Sequence, residues 1–290
     1  MNKNLIFIIL SSFFFTSCSK KKEAKSTTPN FILIMADDLG YGDLSCYGNT
    51  FINTPNIDAL ALNGVRFTDF HSNGSVCSPT RAALMTGKYQ QRTGINGVVT
   101  AKSHRNVGLS LNETTLAEEL KRYGYNTGMF GKWHLGYSKE FNPTLQGFTD
   151  YEGFVSGNVD YHGHIDQEGY LDWWKGDKID NVTGYSTDLI TKNGVHFIKK
   201  NNPKKTGKPF FLYLPYFTVH TPLQGKLNLV EKYTTKIKGD KRFNAKYGAM
   251  VESMDDNVGR LLSTLKTLHI EENTIVIFFS DNGGLASVSD

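Results

Sequence analysis

Two apolar runs of strand length each end in residues that favour hard cations. The run FILIMA, near residue 31, precedes two aspartates, and the run TIVIFFS, near residue 274, precedes an aspartate and an asparagine. Sites in parallel sheets form at the carboxyl ends of strands, and carboxylate and amide oxygens suit Ca²⁺ or Mg²⁺. The alternative for either pair alone is a helix cap. Together they predict a cation site formed by Asp37, Asp38, Asp281 and Asn282.

A cysteine before a helix-forming segment is the second candidate for chemistry. The segment runs from Cys77 to Gly87 (CSPTRAALMTG), and Pro79 suits a first helical turn, so the cysteine is expected at a helix N-terminus. Backbone N–H groups and the helix dipole favour an anion there. Arg81 lies one turn further on and can face the same side. The alternative for an isolated cysteine in this position is a buried structural thiol.

This whole segment resembles the sulfatase signature, which is Cys-x-Pro-x-Arg followed by Leu-x-x-Gly. The family's other landmarks occur in order along the chain, as ADDLG at 36–40, TPNID at 54–58, GKWHLG at 131–136, HTP at 220–222 and SDNG at 280–283. The resemblance covers the chain from about Asn30 to its end. It implies the α/β fold of the alkaline-phosphatase-like superfamily and an arylsulfatase-type hydrolysis of sulfate esters.

The resemblance also implies a modified nucleophile and a metal. In that family a formylglycine-generating maturation enzyme oxidises the cysteine, and the hydrate of the resulting aldehyde is the nucleophile. Cys77 would therefore become formylglycine (3-oxoalanine). Ca²⁺ would be bound by this residue together with Asp37, Asp38, Asp281 and Asn282.

Four further side chains receive roles from the resemblance. Arg81 would hold the hydrated aldehyde and its developing charge, and Lys132 would neutralise the sulfate oxygens. His134 would contact a hydroxyl of the hydrate and help the sulfated intermediate to collapse. His220 would contact the substrate and protonate the leaving alcohol, a task that imidazole performs near neutral pH. The implied substrate is a sulfated small molecule or polysaccharide, as in polysaccharide degradation.

One part of the family pattern is missing from this sequence. The family has a further lysine near the substrate sulfate, and no lysine follows Asn282. The family's smaller C-terminal domain, an antiparallel sheet with a helix, is missing too. We therefore expect residues 30–290 to form an incomplete N-terminal catalytic domain.

Strand-like and helix-like segments alternate along the chain, which predicts a mostly parallel sheet with helices on both faces. Besides the two runs above, strands are expected at 65–70, 126–130 and 209–216. Helices are expected at 54–64, 115–124, 186–200 and 243–268. Thr114 or Thr115 can cap the second helix, with Glu118 completing a capping box from Thr115, and Ser186 can cap the third. The stretch 141–184 breaks the alternation and is predicted to be a long loop region.

The first 18 residues have the pattern of an export signal. A basic start precedes an apolar core that is too short to span a bilayer, and small residues precede Cys18. This resembles a bacterial lipoprotein box with a lipidated cysteine, although Phe15 stands where an aliphatic residue is usual. Residues 19–29 would be a flexible tether. We expect an exported, periplasmic or cell-surface protein with only a lipid in the membrane; the alternative is an ordinary cleaved signal.

Composition and the remaining histidines bear on three other classes of protein or site. The 290 residues carry a net charge of +4, which is too small and dispersed for nucleic-acid binding. Three cysteines do not make a disulfide scaffold, and a Cys46–Cys77 bridge is the alternative to modification. His162 and His164 could bind a transition metal, line the pocket mouth with Trp173 and Trp174, or simply pack the loop region.

Two other functions fit part of the pattern. A phosphonate or phosphate ester hydrolase of the same superfamily would share the metal carboxylates. A catalytically inactive lipoprotein that binds sulfated glycan would share the anion site. The intact cysteine signature, together with the lysine and the two histidines, argues against the inactive binding protein. The relative rates of aryl sulfate and aryl phosphate hydrolysis would separate the two enzymes.

Overall fold

The computed structural model describes residues 28–240 and 243–285, and a seven-stranded sheet forms its centre. The strands are β1 (Asn30–Ala36), β2 (Asn126–Lys132), β3 (Asp150–Phe154), β4 (Trp174–Lys175), β5 (Lys178–Ile179), β6 (Phe210–Pro215) and β7 (Thr274–Ser280). Their spatial order is β5-β4-β3-β2-β6-β1-β7. The strands from β3 to β7 in this order run parallel, and β4 and β5 add an antiparallel edge.

Eight α-helices are found in the described residues: α1 (Pro55–Asn63), α2 (Cys77–Thr86), α3 (Ala101–His104), α4 (Leu116–Arg122), α5 (Ser186–Lys200), α6 (Pro203–Thr206), α7 (Leu227–Ile237) and α8 (Ala245–Leu268). None of these helices is both long enough and apolar enough to cross a bilayer. The predicted signal at 1–18, its Cys18 and nearly all of the tether lie outside the described residues.

Alternate side chains of the sheet enter two separate hydrophobic cores. Ile32 and Ile34 of β1 lie in the core that α1, α5, α7 and α8 cover. Leu33 and Met35 lie in the opposite core, which contains residues of α2 and α4. Successive strand residues point to opposite faces, so a strand buried on both faces must be apolar throughout. The predicted α/β fold, with a mostly parallel sheet and helices on both faces, is confirmed.

Of the two predicted helix caps, one is confirmed and one is wrong. Thr115 Oγ1 accepts from the Glu118 backbone N–H at 3.1 Å, and Glu118 Oε2 accepts from the Thr115 N–H at 2.8 Å. Ser186 is instead the first residue of α5, and its hydroxyl has no partner among the described residues. The start of α5 is held by its backbone, because the Ser186 N–H donates to the Tyr161 carbonyl at 2.8 Å.

Two predictions about strands are corrected. Residues 65–70 form no strand; Val65 and Phe67 are 79% and 64% exposed, and the segment pairs with no strand of the described residues. Residues with a high strand propensity do not form a strand when no neighbouring strand pairs with them. The stretch 141–184 is not all loop, since it contributes β3, β4 and β5. β3 (DYEGF) lacks an apolar run, and a Cβ on Gly153 would lie 2.1 Å from the Gly131 carbonyl oxygen of β2.

The confirmed cap yields a stability prediction. Thr115 Oγ1 also donates to the buried Gln146 carbonyl at 2.8 Å, so Thr115→Ala removes two hydrogen bonds. We expect Thr115→Ala to lower the free energy of unfolding by about 1–3 kcal/mol. The neighbouring Thr114 is exposed and provides the control. Thr114→Ala should change the free energy of unfolding by less than about 0.5 kcal/mol. Urea unfolding followed by circular dichroism measures both, and equal effects would contradict the assigned cap.

Candidate active site

Four predicted metal ligands meet at the carboxyl edge of β1 and β7. Asp37 and Asp38 follow β1, and Asp281 and Asn282 follow its neighbour β7. The Asp38 backbone N–H donates to Asp281 Oδ1 at 3.2 Å. The Asn282 side chain donates to Asp38 Oδ1 at 2.7 Å. The pairing of two strands therefore brings together residues that are more than two hundred positions apart.

The geometry of this group suits a hard divalent cation. One oxygen from each of Asp37, Asp38 and Asp281 lies within 4.8 Å of the others. Asp37 and Asp281 are fully buried, and Asp37 Oδ1 has no hydrogen-bond partner among the described residues. A buried carboxylate oxygen without a donor is costly, and a cation is the natural partner for it. These residues therefore fit the Ca²⁺ that the resemblance implies.

The pKa values of the two buried carboxyls show the same need for positive charge. Burial and then repulsion from Asp37 raise the pKa of Asp281 well above its ordinary value. Burial also acts to raise the pKa of Asp37, but the charges of Lys132 and Arg81 outweigh it and hold that pKa below its usual range. Two adjacent buried carboxylates do not both ionise readily unless a cation compensates them.

Cys77 is the first residue of α2, after the extended Val76. Burial, the largest effect, raises the pKa of its thiol; Lys132 lowers that pKa, but Asp37 raises it further. A thiol with a raised pKa is a poor thiolate nucleophile, so the unmodified side chain is not activated. The alternative of a Cys46–Cys77 bridge is wrong, since both thiols are free.

Arg81 connects α2 to the carboxylates and to β2. Its side chain is only 1% exposed. Nη1 donates to the Lys132 carbonyl at 2.8 Å, and Nη2 lies 3.3 Å from Asp281 Oδ2 and 3.5 Å from Asp37 Oδ2. The side chain therefore turns inward to the helix N-terminus, as the spacing from Cys77 predicts.

Lys132 is the last residue of β2 and is fully buried. Its ammonium lies 2.5 Å from Asp37 Oδ2. The preceding Gly131 has φ of 126°, and a Cβ there would lie 2.3 Å from the Pro215 carbonyl oxygen. Only glycine lets the end of β2 approach β6 this closely. This approach positions the lysine below the carboxylates.

His134 is buried, with one ring nitrogen engaged and the other free. Nε2 lies 2.8 Å from the Val99 carbonyl oxygen, which fixes Nε2 as the protonated nitrogen. Nδ1 has no partner in the described part of the chain. Burial, followed by the charges of Lys132 and Arg81, lowers the pKa of His134 well below its ordinary value. The ring is therefore neutral and offers a lone pair at Nδ1.

His220 lies on the loop that follows β6, and its side chain is 20% exposed. Nδ1 lies 2.6 Å from the Thr221 carbonyl oxygen, so Nδ1 carries a proton. Nε2 lies 3.7 Å from Asp38 Oδ2. Nε2 therefore lies next to the aspartate group.

Five of the predicted residues line a cavity of about 440 Å³, a size typical of small-molecule sites. Its lining includes Cys77, His134, His220, Asp38 and Asn282. The outer wall comes from segments that the sequence did not single out, at 98–102, 156–158 and 166–168.

Residues that act through the backbone were missed. Val99 holds His134 with its carbonyl, and Gly157 packs against the ring of that histidine, where a Cβ would lie 2.8 Å from Nε2. A carbonyl contact carries no residue signature, so nothing in the sequence pointed to Val99. A glycine in a Gly-rich loop is an equally weak signal.

The aromatic and histidine cluster of the loop region packs the fold and does not line the cavity. Trp173 and His164 are fully buried, with ring centroids 4.4 Å apart. His164 Nδ1 contacts the Val182 carbonyl oxygen at 3.2 Å. Among the described residues, the one metal-type cluster is that of the three aspartates, so His162 and His164 form no transition-metal site there. The packing alternative therefore holds for His164 and Trp173, whereas His162 is exposed.

Comparison with known proteins identifies the family. Residues 29–287 match the model of the family described as Sulfatase, so the chain belongs to the sulfatase family. It is 36% identical over 269 residues to arylsulfatase J of Mus musculus, covering 90% of this chain and 44% of that protein. It is 35% identical over 275 residues to N-acetylgalactosamine-6-sulfatase of Mus musculus, covering 88% of this chain and 50% of that protein.

A solved structure is similar over most of the described fold. The crystal structure of Ps i-CgsB in complex with k-i-k-neocarrahexaose has a TM-score of 0.81 and 35% sequence identity, covering 89% of this chain and 59% of that chain. The chain spans about half the length of the curated relatives it matches.

Cation binding at the aspartates can be measured without any substrate. Ca²⁺ should raise the thermal unfolding midpoint of the protein, because a ligand that binds only the folded state stabilises it. Asp281→Asn removes one of the three converging carboxylates, and we expect it to lose most of that rise. Asp177→Asn, at an exposed position, should keep it. An equal Ca²⁺-dependent rise in both variants would show that the cation binds elsewhere.

Proposed function

We propose that this chain hydrolyses sulfate esters of a sulfated carbohydrate, with formylglycine made from Cys77 as nucleophile and Ca²⁺ as the bound cation. The observation that carries the proposal is the common cavity of Cys77, His134 and His220. The charges of Arg81 and Lys132 act on the same thiol position. This combination supplies a nucleophile position, charge neutralisation and proton transfer, which are the three needs of sulfate ester cleavage.

The balance of buried charge supports an anionic substrate. Three aspartates stand against Arg81 and Lys132, which leaves an excess of one negative charge. A divalent cation changes this excess to one positive charge (two protein cations plus two, minus three). A pocket with net positive charge and a helix N-terminus at its floor attracts a sulfate monoester.

Formylglycine would supply a hydrated aldehyde with two hydroxyls, one to attack sulfur and one to allow breakdown of the sulfated enzyme. The bound Ca²⁺ would supply positive charge for the attacking oxygen and the sulfate. Asp37, Asp38, Asp281 and Asn282 would hold that cation.

The two histidines divide the proton transfers. The neutral ring of His134 offers Nδ1 as a proton acceptor beside residue 77. His220 lines the same cavity and is 20% exposed, so the leaving alcohol can reach its Nε2, which in the protonated ring would donate to it. Arg81 and Lys132 would stay protonated and neutralise the sulfate oxygens and the developing oxyanion.

The carbohydrate part of the proposal comes from the relatives. One is named for N-acetylgalactosamine-6-sulfate, and a similar solved structure holds a neocarrahexaose. A sugar ring with one sulfate fits a cavity of about 440 Å³. We further propose export as a periplasmic or cell-surface lipoprotein through Cys18, and modification by a formylglycine-generating enzyme of the host.

Residue 77 gives the first test of the proposal. Protein made alongside a maturation enzyme should carry formylglycine at 77, visible in the mass of its peptide. Cys77→Ala should lower sulfate release from a nitrophenyl sulfate by more than about 1000-fold, since loss of a nucleophile costs at least that much. Cys46→Ala, at the other free cysteine of the described residues, should keep full activity. Full activity in Cys77→Ala would end the catalytic proposal and leave a glycan-binding role.

A second test separates the sulfatase from a phosphate or phosphonate ester hydrolase. The site with bound cation has one excess positive charge, which suits a monoanion such as a sulfate ester better than a dianion. We expect kcat/KM for nitrophenyl sulfate to exceed that for nitrophenyl phosphate by more than about 100-fold, a difference of about 2.7 kcal/mol. Chelator should abolish the sulfate reaction, and Ca²⁺ rather than Zn²⁺ should restore it. Preference for phosphate would support the rival activity.

A further inference from the structure

A short segment of the loop region holds the loop that carries His220. Residues 158–161, which we call the arm, lie beside the loop at 217–224. The Tyr161 hydroxyl lies 3.0 Å from the His220 carbonyl oxygen and 3.1 Å from that of Phe217. The Asn158 side chain donates to the Thr221 carbonyl at 3.2 Å. Two donors of the arm therefore contact three carbonyls of the loop around the histidine.

Packing and a backbone contact reinforce these hydrogen bonds. The ring of Tyr161 stacks on that of Phe217, with centroids 4.0 Å apart. The Tyr161 N–H donates to Gln224 Oε1 at 2.7 Å. The arm is thus fixed to both ends of the loop, before and after His220.

Tyr161 is suited to serve as a permanent donor. It is fully buried, and burial raises the pKa of its hydroxyl well above the ordinary value, so the hydroxyl remains protonated. Its single proton can be donated to either of the two carbonyls within reach. Removal of the hydroxyl would leave both carbonyls without this donor inside the protein.

The ring of His220 has few contacts of its own. Its side chain is 20% exposed, and among the described residues its ring nitrogens contact only the adjoining Thr221 carbonyl and, at 3.7 Å, Asp38. The direction of Nε2 therefore depends on where the backbone of the loop lies. Before the histidine, the Asp37 backbone holds Thr218 and Val219 through hydrogen bonds of 3.1 and 2.8 Å, and the arm holds the residues from His220 onwards.

We propose that Tyr161 is a positioning residue that holds the backbone of His220 and so directs its Nε2–H to the leaving oxygen. This rests on the proposed function, in which His220 protonates the leaving alcohol. No part of the arm belongs to the signature segments that resemble the sulfatase family.

Misdirection of a general acid has a specific kinetic signature. A nitrophenolate leaves without much help, whereas a sugar alkoxide needs a proton as the bond to sulfur breaks. Loss of alignment should therefore slow sugar sulfates far more than nitrophenyl sulfate. A loss of folded protein, in contrast, would lower both rates by the same factor.

Tyr161→Phe is the central variant because it keeps the ring that stacks on Phe217. We expect kcat to fall by about 10-fold or more for a sugar sulfate and by less than about 3-fold for nitrophenyl sulfate, with KM little changed. His220→Ala removes the imidazole altogether. Its fall in kcat should be selective for the sugar sulfate in the same way and larger than that of Tyr161→Phe. Tyr151→Phe is the matched control: that tyrosine is buried and its hydroxyl has no partner in the described residues, so both rates should stay as in the wild type.

A second measurement does not depend on activity. Diethyl pyrocarbonate modifies exposed imidazoles, and peptide masses report its rate at each histidine. The rate at His220 should rise several-fold in Tyr161→Phe and stay unchanged in Tyr151→Phe. Gln224→Ala, which frees the other contact of the arm, should give a smaller rise in the same direction.

The outcomes separate this proposal from the proposed function. An active wild type with an equal fall of both rates in Tyr161→Phe, or with an unchanged modification rate at His220, overturns the positioning role alone. A wild type that carries formylglycine and releases no sulfate overturns the proposed function, and the modification rate then decides whether Tyr161 holds the loop. If Tyr161→Phe does not fold, an unchanged modification rate in Gln224→Ala overturns the proposal.

Discussion

The burial of excess negative charge at one edge of the sheet is the constraint on which the rest of the structure depends. Asp37 and Asp281 are fully buried at the ends of adjacent strands. Charges removed from water are unstable unless partners compensate them. Arg81 brings α2 to these carboxylates, and Lys132 brings the end of β2. The same contacts that neutralise the aspartates therefore fix the position of Cys77.

Backbone strain is concentrated at the same place. Asp38 and His134 both have left-handed backbone conformations, with φ of 60° and 59°. Non-glycine residues avoid this region, and they remain in it only where the surroundings hold them. The Asp38 backbone N–H donates to Asp281, its carboxylate accepts from Asn282, and His134 is held by the Val99 carbonyl. The hydrogen-bonded partners thus impose the conformation that aims each side chain into the cavity.

The features that could be predicted from the sequence depend on residues close together in the chain or on a regular spacing of apolar residues. The apolar runs of β1 and β7 and the capping box at Thr115 depend on neighbouring residues, and the structure has all three. The four predicted ligands from Asp37 to Asn282 meet because they follow neighbouring parallel strands, β1 and β7. β3 could not be predicted, because its short polar sequence is a strand only beside β2. The contacts of Val99 and Tyr161 are long-range contacts with backbone carbonyls, and carbonyls leave no pattern in a sequence.

The different environments of the two histidines explain how one cavity could serve opposite proton transfers. His134 is 2% exposed between cationic side chains, which keeps its ring neutral and leaves Nδ1 free to accept a proton. His220 is more exposed, and its Nε2 lies 3.7 Å from Asp38 Oδ2 in the same cavity. In the proposed function the first environment suits a group that accepts a proton, and the second suits a group that the leaving alcohol can reach. The base is fixed by burial and by the Val99 carbonyl, whereas the partly exposed acid depends on its loop, so the positioning contacts of the arm act on that side of the cavity.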